Sequence, residues 1–132
     1  MLNIMELTTG YLIWIDTTTS RGASMNEETI IQNNIRLGCN DLAVLFRANV
    51  GMFKVGDRYI STGLPKGFPD LFGIRKSDGK FIAIEVKTKT GKLRAEQKLL
   101  LNMLKENGAI AGVARSVDDA RAIINGGAEC IK

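Results

Sequence analysis

The stretch FPDLFGIRKSDGKFIAIEVKTKTG, Phe68 to Gly91, decides how the chain is read. It holds two apolar runs, Asp70–Ile74 and Lys80–Lys87, separated by RKSDG. An Asp-Gly pair between apolar runs is a strong hairpin signal. If Asp78-Gly79 forms a tight turn, Phe72 lies opposite Glu85 and Asp70 opposite Lys87. Side chains alternate across a strand, so Glu85 and Lys87 share one face while Ile84 and Val86 take the other. Asp70 then joins Glu85 and Lys87, and slipping the pairing by a single residue would undo this. The second run, Phe81 to Val86, is almost continuously apolar, as expected of an inner strand. A glutamate and a lysine on such a strand are costly to bury unless they do something.

Two converging carboxylates repel unless a cation lies between them, and a set of hard oxygens suits Mg²⁺ or Mn²⁺. A neighbouring ammonium can position water or offset charge developing on a phosphoryl group. The plainer reading is a solvated hairpin edge with cross-strand ion pairs of little worth.

Composition narrows the choice. The 132 residues include 45% hydrophobic and 24% charged residues, which fits one ordinary globular domain. The net charge of +4 permits a polyanionic partner without requiring one. Histidine is absent, which removes Ser-His-Asp and Cys-His machinery, HExxH metal sites and imidazole bases. Cys39 and Cys130 lie far apart and form no CxxC pair, so reduced thiols in a cytosolic protein are expected.

Residues 1–24 are treated as an N-terminal extension, with residues 25–132 as the domain. The apolar run GYLIWI is too short for a membrane span, and no basic n-region precedes it. The extension is either a strand or arm packing on the domain or a partner, or a segment upstream of a start at Met25, which is the reading preferred here.

Working outward, Asn26 to Gly38 reads as a helix with Asn26 as N-cap and Ile30, Ile31, Ile35 and Leu37 as its apolar set. Leu42–Val55 reads as a strand entering a turn, and residues 56–69 as a Gly/Pro-rich loop around a short strand at Arg58–Ser61. Lys92–Asn107 reads as an amphipathic helix with Leu93, Leu100, Met103 and Leu104 inward and Gly108 at its end. AIAGVA follows as a buried strand, and Ser116 with Asp119 opens a last helix. The expected fold is α/β (α+β), a mixed sheet flanked by helices in the order α-β-β-β-α-β-α.

With these residues in place, KGFPDLFGI and GKFIAIEVKTKTGKLRAEQ, together with FRANVGMF and GAIAGVARSVDDA, resemble the VRR-NUC (virus-type replication-repair nuclease) family of the PD-(D/E)xK nucleases. The similarity runs from about Glu27 to Ile124. It implies a restriction-endonuclease-like core and Mg²⁺- or Mn²⁺-dependent hydrolysis of DNA. It assigns Asp70, Glu85 and the Val86 carbonyl to the metal, Lys87 to catalysis, and Gln97 to holding the lysine or water. The superfamily's helix acid would be Glu28, with Glu27 as the alternative and an exposed first-turn glutamate as the plain reading of either.

Arg47, Lys66 and Lys89 are the expected DNA contacts, chosen from a basic rim that also includes Lys54, Arg58, Arg75, Lys76 and Lys92. Asn49 is a possible polar anchor or a turn residue. The resemblance further implies a phage or bacterial endonuclease that cuts four-way (Holliday) junctions as a homodimer in the cytoplasm. A flap or single-strand nuclease, or an inactive DNA-binding module, are the alternatives. TKTGK lacks the glycine spacing of a P-loop, so no nucleotide cofactor is expected.

Overall fold

The computed structural model describes residues 2–6, 12–16 and 25–126. Strands β1 (Leu2–Glu6) and β2 (Leu12–Asp16) pair antiparallel as a sheet of their own. The rest of the N-terminal extension, and Cys130, lie outside the described residues.

Helix α1 (Glu27–Gly38) is followed by β3 (Ala43–Arg47), β4 (Met52–Val55) and β5 (Arg58–Ser61). Then come β6 (Leu71–Arg75), β7 (Phe81–Val86), α2 (Ala95–Glu106), β8 (Ile110–Ala114) and α3 (Val117–Ile124). The main sheet has four strands in the order β3-β6-β7-β8. Its β3/β6 and β6/β7 pairs are antiparallel, whereas α2 carries the chain back so that β8 joins β7 in parallel. Without the small hairpins, this is the expected α-β-β-β-α-β-α order.

One sheet face is covered by α1 and α3. Ile35, Leu45, Leu71, Ile82, Ile84, Val86, Ile123 and Ile124 pack there as one buried cluster. Full burial of side chains of this size stabilises by ~1.5–3 kcal/mol each, so this cluster dominates the fold. On the other face, Leu101 of α2 packs on Ala83 and Ala111, both of them small enough to let the helix approach. Gly73 serves a similar end, because a Cβ there would stand 1.8 Å from the Val44 carbonyl oxygen of the neighbouring strand.

Several expectations are corrected. Leu42–Val55 is not one strand: it breaks after Arg47, and Met52–Val55 pairs with Arg58–Ser61 as a separate exposed hairpin. Ile30 and Leu37 are exposed, and the buried face of α1 is Gln32 and Ile35. Met103 also faces solvent, with Leu101 buried in its place. Apolar residues populate more than one face of these helices, so spacing alone does not select the inner one.

The β6–β7 turn is longer than the two-residue form. The Gly79 amide donates to the Arg75 carbonyl, and the Arg75 amide donates to that of Lys80. Arg75 grips Asp78 through both carboxylate oxygens, and Asp78 also accepts from the Lys80 amide, so this loop is held by its own side chains. The register therefore places Phe72 opposite Ala83 and Leu71 opposite Ile84. The shift is even, so Asp70 keeps the face shared by Glu85 and Lys87.

Candidate active site

Strand β7 is an inner strand, and the residues from Ile82 to Lys87 just beyond its end are all buried. Glu85 is 2% exposed and Lys87 8%, the only charged residues so buried among those described. Asp70 sits just before β6, where its carbonyl accepts from the Ala48 amide and its carboxylate Oδ2 accepts from the Val86 amide at 2.9 Å. That second bond ties the two strands at the point where their acids meet.

The Lys87 ammonium lies 3.3 Å from Glu85 Oε1 and 3.9 Å from Glu28 Oε1. From α2, the Gln97 amide nitrogen donates to the same Glu85 oxygen at 2.7 Å. The Gln97 carbonyl oxygen accepts from the Arg94 amide at 2.9 Å, capping the helix. Asp70, Glu85, Lys87, Gln97 and Glu28 thus come together from three separate parts of the chain. Glu28, rather than Glu27, is the helix acid placed against the lysine.

Burial, and then the negative charge of Asp70, push the Glu85 carboxyl up to about 8, against the opposing pull of Lys87. Its second oxygen, Oε2, is buried without a hydrogen-bond partner. An acid held in this way favours either a proton or a cation. Among the described residues no three Asp, Glu, His or Cys side chains converge as a ready-made cage. The donor set is instead the two carboxylates of Asp70 and Glu85, both hard-oxygen ligands. With Oε2 open, it fits a divalent cation of the Mg²⁺ or Mn²⁺ kind.

An open groove of about 1020 Å³ runs from Asp70 and Gln97 toward the β4–β5 hairpin. Arg47, Asn49 and Lys66 line it, as does Arg94, which the sequence reading did not single out. Lys89 is not part of this lining; it stands exposed in the turn after Lys87. The Arg115 guanidinium holds that turn by donating to the Thr88 and Gly91 carbonyls, a contact with no sequence signal.

Arg75 and Lys76 do not belong to the rim. They lie at the far end of β6, where Arg75 binds Asp78 and the Ile124 carbonyl, and Lys76 the Asn40 carbonyl. Cys39 is buried away from solvent, and burial raises its thiol to about 11, so it is inert.

A four-stranded mixed sheet thus sets Asp70 beside the buried Glu85 and Lys87. Residues 55–118 match the family model of the VRR-NUC domain. A solved structure described as a VRR_NUC domain matches with a TM-score of 0.54 and 20% identity, covering 76% of this chain and 97% of its own. Comparison with curated proteins gives no match. No helix among the described residues is long and apolar enough to cross a membrane.

Proposed function

We propose that this chain is a metal-dependent, structure-specific DNA endonuclease that hydrolyses phosphodiester bonds in branched DNA, with the four-way junction as the expected substrate and a homodimer as the working form. One observation carries the reading: Glu85, buried on an inner strand, keeps one oxygen without a partner while Asp70 and Lys87 flank it.

Asp70, Glu85 and the Val86 carbonyl would hold Mg²⁺ or Mn²⁺. Such an ion supplies an acidified water and offsets charge on the phosphoryl oxygens. Lys87, held by Glu85 and Glu28, keeps its ammonium directed at the same place. Gln97 fixes the Glu85 carboxylate and leaves its other oxygen open. Arg47 and Lys66 offer phosphate contacts that position the strand without reading its sequence. A dimer suits paired cuts, because one domain carries one centre and a two-fold junction needs two.

The test is cleavage of a synthetic four-way junction, a flap and plain duplex with Mg²⁺, Mn²⁺ or EDTA, comparing wild type with Lys87→Ala. Symmetric junction nicks that need both metal and Lys87 are expected. Folded protein that binds DNA yet cuts nothing with either metal would leave only a binding module. A flap or single-strand specificity is the second reading, favoured by the mixed apolar and basic lining of the groove.

A further inference from the structure

The groove beside Asp70 is lined by two kinds of side chain. Met52, Phe53 and Phe68 give it apolar surface, while Arg47, Lys66 and Arg94 supply cations. Phe53 is 51% exposed and Met52 68%, in a hairpin that contributes no buried side chain to the core. Phe68 is braced edge-on by Phe72 at 5.8 Å, and Phe72 in turn contacts Phe46 at 5.8 Å and Phe81 at 6.4 Å. The Phe68 side of the apolar wall is therefore backed by a connected set of rings, while Phe53 stands free on the hairpin opposite.

Duplex DNA would use only half of this lining, because its base faces are stacked away and it presents phosphates and groove edges. A second copy of the chain would suit the rings but not the cations, since charged residues are depleted at interface cores. An unpaired strand uses both, laying bases on apolar rings and phosphates on the cations. The lining carries Arg47, Lys66 and Arg94 against the single acid Asp70, which is the sign a polyanion needs. We infer that this groove is a binding site for unpaired nucleotides at or beside a branch, with Phe53 as its stacking platform. The inference rests on the nuclease reading and refines its substrate to DNA that exposes single-stranded bases.

The experiment is fluorescence anisotropy of the full chain in EDTA, so binding is read without turnover. The probes are a labelled oligo(dT) of about ten nucleotides, an abasic strand of equal length and charge, and a duplex. Oligo(dT) should bind wild type more tightly than the abasic strand does. Phe53→Ala should weaken oligo(dT) binding by roughly 5- to 100-fold and erase the difference between the two strands. Phe53→Trp should restore it, which separates stacking from misfolding.

Equal affinity for normal and abasic strands would overturn the inference, leaving a groove that holds phosphates only. So would a fall from dimer to monomer in Phe53→Ala with oligo(dT) affinity unchanged, which would assign the rings to a second copy. Metal-dependent cleavage is scored separately. Cleavage without base-dependent binding sinks this inference alone, and base-dependent binding without cleavage sinks the nuclease reading alone.

Discussion

Replacing Glu85 by Gln is expected to stabilise the metal-free fold while abolishing its chemistry. In the fold, burial and Asp70 lift the carboxyl from 4.5 to about 8. At ~1.36 kcal/mol per pKa unit, keeping the ionised form folded costs on the order of 4–5 kcal/mol. Gln keeps a carbonyl to accept from Gln97 but deprives Lys87 of its nearest anion, leaving Glu28 at 3.9 Å. The raised value already includes the Lys87 attraction; what offsets part of the gain is the new amide nitrogen, buried without a partner where Oε2 stood, so a net of about 1–3 kcal/mol remains.

The sign follows from the raised folded pKa. The folded state holds an extra proton between about 4.5 and 8, so wild-type stability falls as pH climbs through that window and levels off above it. The Gln variant has no such slope. Thermal melts in EDTA at acidic, neutral and alkaline pH should show the two proteins close together below the window. They should separate above it, at roughly 3–5 °C per kcal/mol for a domain of this size. Mg²⁺ or Mn²⁺ should raise the wild-type Tm and leave the variant unmoved. Parallel melting curves across the whole range would refute the reasoning.

Four further outcomes are expected. Gly67→Ala should destabilise by about 2–4 kcal/mol in urea titrations, since φ is +88° and a Cβ would meet the Glu96 backbone at 2.8 Å. Gly79→Ala, strained at φ +71° but with open space around it, should lose only about 1 kcal/mol. Leu101→Ala should cost about 2–5 kcal/mol and the exposed Met103→Ala under about 0.5, a contrast that tests which side of α2 is inside. Gln97→Ala removes the bond to Glu85 and the cap on Arg94, and should cost about 1–3 kcal/mol in the same titration while lowering metal-dependent cleavage.

The main sheet was legible because its inner strand is written in continuous apolar residues, with Asp78-Gly79 marking its hairpin. The convergence of Asp70, Glu85 and Lys87 survived an error in turn length because alternation depends only on parity. Other features had no local signature. Arg75 reads as one more rim cation until Asp78 and the Ile124 carbonyl are seen to claim it. Leu101 and Met103 are indistinguishable by type, and only the seating of α2 on Ala83 and Ala111 decides between them. The groove was missed because its walls come from β4, β5, the loop before β6 and the start of α2, which no spacing rule connects.

A free carboxylate is symmetric, its two oxygens interchangeable in water. Glu85 has lost that symmetry. Gln97 and Lys87 both address Oε1, while Oε2 faces no donor. The same Gln97 amide is pinned at its other end by the Arg94 backbone, so it cannot turn over to serve the second oxygen without uncapping the helix. A proton on Glu85 therefore belongs on Oε2, and a cation arriving at the site must evict it. On the proposed metal-dependent reading, uptake near neutral pH would be an exchange at one atom, visible as acid released into an unbuffered solution.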